Sequence, residues 1–363
     1  MVLGILGGGQ LGRMLALAAH PLGVRCRFLD PAPDACAASV GEHLVAPFDD
    51  EGALARLAEG AAAVTWEFES VPVVALHRLG GRVPVLPGAT SLAVSQDRFE
   101  EKQAFERAGF AVAPYHAVSS PGEAIAAVER VGTPGILKTR TGGYDGRGQA
   151  RVDSAGDAER AWQALGGVPA IYERRIAFRR ELALLGTRAG DGAIAFYAPV
   201  ETVHREGILH TAHAPAPGID RATLLRAERH AASLLETLGH VGTFAIELFD
   251  DGETLLASEL AARVHNSGHW TIEGAETSQF ENHVRAVLGL PLGDTATRGH
   301  AVTVNLVGAA PASEDVLAIP GAHLHLYGKQ PRPRRKLGHV TLRADTADEL
   351  DARLARVLRT LRH

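Results

Sequence analysis

The sequence has 363 residues and a formal net charge of −5, and 46% of the residues are hydrophobic and 22% charged. This length predicts two or three domains, and the composition is ordinary for a globular enzyme. No basic block is large enough to predict nucleic-acid binding over the surface. The N-terminus lacks a signal-peptide pattern, no apolar run is long enough to span a membrane, and Cys26 and Cys36 lie outside metal-type spacings. We therefore predict a cytoplasmic protein with no membrane partner and no nucleic-acid partner.

A glycine turn follows the first predicted strand. Residues 2–6 are apolar, Gly7, Gly9 and Gly12 form a GxGxxG pattern, and a helical pattern continues through residue 18. Such a turn directs backbone N–H groups and a helix N-terminus toward an anion. A second predicted strand, 24–29, ends at Asp30, where a dinucleotide-binding fold places its ribose-binding acid. The pattern alone indicates a doubly wound domain that binds a nicotinamide or flavin cofactor, binds another phosphate, or only packs at this turn.

Two further strands are predicted in the N-terminal region, at residues 61–66 and 83–86. Glu67 and Glu69 directly follow the first of them. Because ligands of α/β folds bind at the carboxyl ends of the strands, either acid is a candidate for holding ribose hydroxyls. An ordinary solvated loop is the alternative.

A glycine-rich loop lies in the region that follows the predicted helix 99–108. The predicted strand 135–139 carries Lys138, and residues 140–149 then read RTGGYDGRGQ. Four glycines allow close approach of the backbone, and the cations and amides suit a lid over phosphates. The pattern is not a Walker A loop, and a flexible hairpin tip is the alternative.

A predicted hairpin carries one acid in each strand. Strands at 170–173, 181–185 and 193–199, a loop-rich stretch around His204 and a helix at 221–238 lead to it. Residues 243–249 and 254–260 flank an Asp-Gly turn, with Glu247 in the first strand and Glu259 in the second. Two carboxylates buried on neighbouring strands would repel each other unless a cation lay between them, and Mg²⁺ prefers such oxygen ligands. The alternative is that both side chains face solvent on a polar sheet face.

The remaining stretch carries polar and basic segments between predicted elements. Arg263, His265, Asn266 and His269 place a cation, an amide and two imidazoles directly after Glu259. A helix at 278–288, strands at 301–306 and 338–342 and a helix at 347–361 are predicted. The basic run 332–336, which follows Gly328 and Lys329, is either a solvated face or an anion-binding turn.

Three motifs together resemble one enzyme family. Residues 9–14 (GQLGRM), 140–149 (RTGGYDGRGQ) and 263–270 (RVHNSGHW) are similar to those of the N5-carboxyaminoimidazole ribonucleotide synthases, ATP-grasp ligases of purine biosynthesis. The resemblance covers nearly the whole chain. It implies an α/β and α+β fold with a Rossmann-like parallel-sheet domain (1–98), an ATP-grasp domain (99–292, with a lid subdomain at about 112–170) and a small C-terminal domain (293–363). The implied reaction combines 5-aminoimidazole ribonucleotide, bicarbonate and ATP through carboxyphosphate in a homodimer.

The resemblance also implies a role for individual residues. The metal ligands for Mg²⁺ or Mn²⁺ would be Glu247 and Glu259. The ATP contacts would be Arg98, Lys138, Gly143, Tyr144, Asp145, Gly146, Arg147, Gly148, Gln149, Glu173, Ile176, Glu181, His204, Ser258 and Glu259. The catalytic residues around bicarbonate and the acceptor would be Arg263, His265, Asn266 and Lys329. The ribonucleotide contacts would be Gln10, Leu11, Glu67, Tyr144, Lys329, Arg335 and Lys336, which assigns the glycine turn to a monophosphate rather than to a dinucleotide.

The sequence departs from the family pattern at a few positions and leaves rival functions open. Ser258 and Ala262 stand where the family more often has Asn and Pro, and the segment at 174–175 is unusually basic. The rivals are a formate-dependent glycinamide ribonucleotide transformylase, in which an Asp usually stands at the position of Asn266, a nicotinamide dehydrogenase, and a nucleotide sensor without turnover. A zinc site at His265 and His269 is disfavoured because their spacing is not a helical HExxH.

Overall fold

The computed structural model describes residues 1–143 and 148–361 of the chain. Its helices are α1 (Gln10–Ala19), α2 (Glu51–Ala58), α3 (Val73–Gly80), α4 (Ala89–Gln96), α5 (Arg98–Arg107), α6 (Pro121–Val131), α7 (Ala158–Ala164), α8 (Arg221–Thr237), α9 (Thr271–Gly274), α10 (Gln279–Val287), α11 (Ser313–Leu317) and α12 (Ala347–Thr360). Its strands are β1 (Val2–Leu6), β2 (Arg25–Asp30), β3 (Glu42–Val45), β4 (Ala63–Trp66), β5 (Ala111–Val112), β6 (Tyr115–Val118), β7 (Gly135–Thr139), β8 (Gln149–Val152), β9 (Ala170–Arg174), β10 (Arg180–Arg188), β11 (Ile194–Phe196), β12 (Val200–Arg205), β13 (Ile208–Ala214), β14 (Gly242–Asp250), β15 (Leu255–Ala261), β16 (His300–Val307), β17 (Ala322–Leu326) and β18 (Lys336–Ala344).

The N-terminal sheet is parallel, in the order β3-β2-β1-β4. The residues of β4 are all buried, as expected for a parallel sheet covered on both faces. Residues 83–86, predicted as a strand, contribute only an isolated bridge between Val85 and Val64. Because β1 and β4 are parallel neighbours, the glycine turn after β1 and Glu67 after β4 lie at the same sheet edge.

A second sheet forms the small subdomain that carries the glycine-rich loop. Its order is β6-β9-β7-β8, and β7 pairs antiparallel with both neighbours. Leu137, Tyr172 and Val128 belong to the core between this sheet and the helices α6 and α7. In this register Glu173 lies opposite Ile136, two residues from Lys138, so the side chains of Lys138 and Glu173 share one face.

The third sheet runs through the rest of the chain, in the order β17-β18-β16-β13-β12-β10-β14-β15-β5, with β11 paired to β10. The predicted hairpin is β14 and β15. The prediction of a loop-rich stretch around His204 was wrong, because β12 and β13 form another hairpin there. Thr202 and Thr211 take buried positions in this hairpin, so the sequence there lacks some of the alternating apolar residues that predict a strand.

The last strands extend the same sheet. Strand β16 pairs with β13 and β18. Helix α12 packs on one face of these strands, where its Val357 joins Val304 and Leu342 in a small core. One sheet contains strands from both sides of the predicted domain boundary at residues 292 and 293, so that boundary stays a prediction. None of the helices in the described part of the chain is long and apolar enough to cross a membrane.

Candidate active site

The two acids of the hairpin face each other. Glu247 of β14 lies directly opposite Glu259 of β15. The Glu247 side chain is 26% exposed and that of Glu259 is 51% exposed. The expectation that both are buried was therefore wrong for Glu259, whose side chain is exposed to solvent at the face of the hairpin. Burial and the charge of Glu259 raise the pKa of Glu247, so this pair of carboxylates favours a nearby cation.

His265 and Arg98 lie beside these carboxylates. The Nε2 atom of His265 is 3.8 Å from Oε1 of Glu247, and Nη1 of Arg98 is 3.6 Å from Oε2 of Glu259. Burial and the charge of Arg263 hold the pKa of His265 well below its ordinary value, so its imidazole is neutral. Among the described residues no three His, Cys, Asp or Glu side chains are clustered to hold a metal. The pair fits Mg²⁺, which binds few protein carboxylates and completes its shell with phosphate and water.

The buried carboxylate of Glu173 pairs with two lysines. The Oε2 atom of Glu173 is 3.1 Å from Nζ of Lys138 and 3.5 Å from Nζ of Lys102. Burial alone would raise the pKa of Glu173, but the two ammonium groups outweigh it and lower the pKa to about 2. Burial also lowers the pKa of Lys138. The predicted contact of Glu173 with adenine stays a prediction, and Lys102 is a partner that the sequence analysis did not identify.

The glycine-rich loop is described only at its ends. Tyr144, Asp145, Gly146 and Arg147 lie outside the described residues, so the predictions made for them stay predictions. The carbonyl of Gly143 accepts a hydrogen bond of 3.2 Å from Nη2 of Arg98.

The base and far end of this loop are also fixed. Arg140 makes a bidentate ion pair with Asp97, with a shortest N–O distance of 2.7 Å. The carbonyl of Gly148 accepts from the backbone N–H of Thr139 at 2.9 Å, and Gln149 begins β8 with an exposed side chain. Arg98 and Asp97 thus join the loop to the start of α5.

A histidine and an acid lie on the neighbouring strands of the large sheet. The Nδ1 atom of His204 in β12 is 2.7 Å from Oε2 of Glu181 in β10. Burial would lower the pKa of His204, but the hydrogen bond to Glu181 and the charge of Glu247 outweigh it and raise the pKa. Ile176 is half-buried in the connection between β9 and β10. His204 and Glu181 lie close enough to Glu247 for their charges to act on its carboxyl group.

The loop after β15 contains polar groups without partners. Both side-chain polar atoms of Asn266 are buried and have no hydrogen-bond partner among the described residues, and the same is true of Nε of Arg263. Nη2 of Arg263 is 2.7 Å from Oε2 of Glu69. Buried polar groups without partners indicate a place where a ligand or water completes the hydrogen bonds.

Gln279, which the sequence analysis did not identify, fixes the backbone of this loop. Its Oε1 atom accepts from the N–H of His265 at 2.9 Å, and its Nε2 atom donates to the carbonyl of His265 at 2.7 Å. The side chain of His265 bonds to Ser267 at 2.9 Å. His269 instead packs against His339, with ring centroids 4.7 Å apart. The two imidazoles of the disfavoured zinc site thus have different neighbours.

The glycine turn is filled by acids of the chain itself. The carboxylate of Glu67 accepts hydrogen bonds from the N–H groups of Gly9 and Gly12, the latter at 2.6 Å. The carboxylate of Asp30 accepts from the N–H of Gly8 at 2.7 Å. Asp30 and Glu67 thus occupy the N–H donors of Gly8, Gly9 and Gly12, and the role of the turn in binding a phosphate stays a prediction. Glu67 is only 5% exposed, so its predicted contact with ribose stays a prediction.

The basic tail returns to the glycine turn. Nζ of Lys329 donates a hydrogen bond to Oε1 of Gln10, across a sequence separation of 319 residues. Burial lowers the pKa of Lys329, and the charges of Arg335 and Lys336 act in the same direction. The Leu11 side chain packs in the N-terminal core, so any ligand contact there would come from its backbone. The structure therefore brings Lys329 to Gln10, with Arg335 and Lys336 close enough for their charges to act on Lys329.

The three sheets, the facing acids Glu247 and Glu259, and the lysine at the end of β7 are features of an ATP-grasp protein. Residues 103–280 match the family model of the ATP-grasp domain. Residues 1–96 match the ribonucleotide synthetase preATP-grasp domain, and residues 301–353 match the phosphoribosylaminoimidazole carboxylase C-terminal domain. The predicted fold class is confirmed.

Similar proteins identify the family within this class. The chain is 47% identical to N5-carboxyaminoimidazole ribonucleotide synthase of Pseudomonas aeruginosa, over 98% of both chains. It matches the crystal structure of the Thermus thermophilus synthetase with a TM-score of 0.95 and 54% identity, over 99% of this chain and 98% of that one. It also matches an Aspergillus clavatus synthase in complex with ADP and 5-aminoimidazole ribonucleotide, with a TM-score of 0.91 and 32% identity, over 99% and 98%. The chain belongs to the family of N5-carboxyaminoimidazole ribonucleotide synthases, as the resemblance predicted.

Proposed function

We propose that this protein is an ATP-dependent ligase that carboxylates 5-aminoimidazole ribonucleotide with bicarbonate. The products are N5-carboxyaminoimidazole ribonucleotide, ADP and phosphate, and the reaction belongs to de novo purine biosynthesis. The observation that carries the proposal is the position of the Arg263–Asn266 loop beside the facing acids Glu247 and Glu259, with Asn266 lacking partners for its buried amide. The full-length relatives support the same reaction.

Glu247 and Glu259 would hold a magnesium ion, and Lys138 would contact the ATP phosphates. When bound, the divalent ion neutralises charge on the transferring phosphoryl group and orients it. The pairing of Lys138 with Glu173 fixes its ammonium at the end of β7. Arg98, next to Glu259 and Gly143, supplies a second cation on the same side. Catalysis of phosphoryl transfer at this site is therefore mainly positioning and electrostatic stabilisation.

The loop after β15 would hold bicarbonate and the carboxyphosphate made from it. Arg263 supplies the positive charge, and the Asn266 amide supplies a donor nitrogen and an acceptor oxygen. His265, which is neutral, directs Nε2 toward Glu247 while Ser267 and Gln279 hold its ring and backbone. The glycine-rich loop would cover the intermediate and keep water away from it.

The ribonucleotide would lie between the glycine turn and the tail. Lys329, Arg335 and Lys336 supply positive charge for a 5′-phosphate, and Gln10 holds the ammonium of Lys329 next to the turn. Lys336 also acts electrostatically on Glu247 and His265. That coupling supports an acceptor site adjoining the site of bicarbonate activation.

Three further predictions belong to this proposal. We expect a homodimer, a cytoplasmic location, and domain boundaries after residues 98 and 292. Mass photometry of the purified chain would test the oligomeric state, and limited proteolysis would test the boundaries.

The decisive experiment offers each acid together with its acceptor. We expect ADP release only when bicarbonate and 5-aminoimidazole ribonucleotide are both present with Mg-ATP. Release that needs formate and glycinamide ribonucleotide would overturn the proposal in favour of the transformylase, and NADH binding in a fluorescence titration would favour a dehydrogenase. Glu259→Gln should abolish turnover with an unchanged circular dichroism spectrum. Glu253→Gln, in the exposed hairpin turn, is the matched control and should retain activity.

A further inference from the structure

Helix α5 buries a charged face. Arg98, Glu101 and Lys102 are spaced i, i+3 and i+4, so their side chains share one side of the helix. Glu101 is 2% exposed and Lys102 is 1% exposed. Such residues are almost never buried unless they are paired, and none of the roles above uses Glu101. The partners of this face therefore indicate what it does.

The hydrogen-bond partners of Glu101 and Lys102 lie in β15, on either side of Glu259, the proposed metal ligand. Oε1 of Glu101 accepts a hydrogen bond of 2.6 Å from the N–H of Leu260. Nζ of Lys102 donates to the carbonyl oxygens of Ala257 at 3.2 Å and Ser258 at 3.1 Å. The backbone is thus held on both sides of Glu259, by one side chain after it and one before it.

The local irregularity of β15 explains why this support is needed. Glu247 pairs with Glu259 but Leu248 pairs with Ala257, so Ser258 is the extra residue of a β-bulge. A bulge interrupts the ladder and redirects the neighbouring side chain. On the opposite edge of β15, pairing with β5 reaches only to Ala257. Glu101 and Lys102 therefore take the place of a neighbouring strand at the bulge.

Lys102 also connects the large sheet with the sheet of the small subdomain. Its Nζ atom is 3.5 Å from Oε2 of Glu173, and the same oxygen is 3.1 Å from Nζ of Lys138. One buried ammonium thus touches the strand that carries Glu259 and the acid that holds Lys138.

We infer that Glu101 and Lys102 are positioning residues, which hold the β15 bulge so that Glu259 faces the divalent cation at a fixed distance from Lys138. Both residues act on the backbone of β15. The inference rests on the proposed metal role of Glu259.

The test measures metal binding without turnover, with Mn²⁺ as the probe. Mn²⁺ binding in the presence of ADP is titrated by electron paramagnetic resonance for each full-length variant. Removing a group that orients a metal ligand weakens metal binding by about 10- to 100-fold, and we expect a loss of this size for Lys102→Met and Glu101→Leu. Glu101→Gln keeps an oxygen acceptor for Leu260 and should stay within about twofold of wild type. Arg107→Met, which removes an exposed charge from the same helix, is the matched control and should bind as wild type does.

The outcomes separate this inference from the proposed function. Loss of Mn²⁺ affinity in Glu259→Gln, with normal affinity in folded Lys102→Met and Glu101→Leu, would overturn the positioning role alone. Unchanged affinity in Glu259→Gln would remove the metal site and the inference together. If Lys102→Met does not fold by circular dichroism, the contrast between Glu101→Leu and Glu101→Gln decides, and equal affinities would overturn the inference.

Discussion

Glu173 is a sensitive charged position for stability, because its carboxylate pairs with the buried Lys102 and with the partly buried Lys138. Its side chain is 6% exposed, and Lys138 and Lys102 approach it at 3.1 Å and 3.5 Å. A tenfold change in acid dissociation corresponds to about 1.4 kcal/mol, so lowering the pKa from 4.5 to about 2 stabilises the fold by about 3 kcal/mol. Removing one member of a buried ion pair costs about 3–5 kcal/mol. We expect Glu173→Gln to lower the free energy of unfolding by about 3–5 kcal/mol.

The assay is urea unfolding of the nucleotide-free protein, followed by circular dichroism. Glu100→Gln, at an exposed position of α5 with a 3.7 Å contact to Arg140, is the matched control and should change stability by about 0.5 kcal/mol or less. A folded pKa below the unfolded one contributes stability above pH 4.5 that is lost as the pH falls toward about 2. The difference between wild type and Glu173→Gln should therefore narrow with acidification. A loss below about 1 kcal/mol at neutral pH would refute this reasoning.

Two further predictions concern catalysis. Lys329→Ala removes the cation held by Gln10, so the KM for the ribonucleotide should rise far more than the KM for ATP in steady-state kinetics. Arg332→Ala, at an exposed position of the same tail, is the control and should leave both constants nearly unchanged. Equal effects of Lys329→Ala on both constants would count against the tail as the acceptor site. Gln279→Leu removes the side-chain partners of the backbone N–H and carbonyl of His265, at a cost of about 1–3 kcal/mol for each group left unsatisfied. The variant should therefore have a lower kcat and a lower melting temperature. Unchanged kcat in the Gln279 variant would show that His265 needs no such support.

Much of the architecture could be predicted from local sequence. The strands at 2–6 and 135–139 and the hairpin around Glu247 and Glu259 follow from apolar runs and turn residues, which act over a few positions. The β12 and β13 hairpin escaped prediction because buried threonines replaced the apolar members of its alternation. The three motifs predicted the family because each one is a run of consecutive residues, which the sequence shows directly.

The sequence by itself determined the order of elements, the acids of the hairpin and the family, since periodicity, turn chemistry and motif spacing are local properties. Only the tertiary structure decided that Glu67 and Asp30 fill the glycine turn and that Lys329 meets Gln10. It also decided that Glu101 and Lys102, an ordinary charged pair on a helix by sequence, are buried against β15. The partner of a charged side chain is set by packing between distant segments, because Coulomb attraction and hydrogen bonding depend on distance in space and not along the chain.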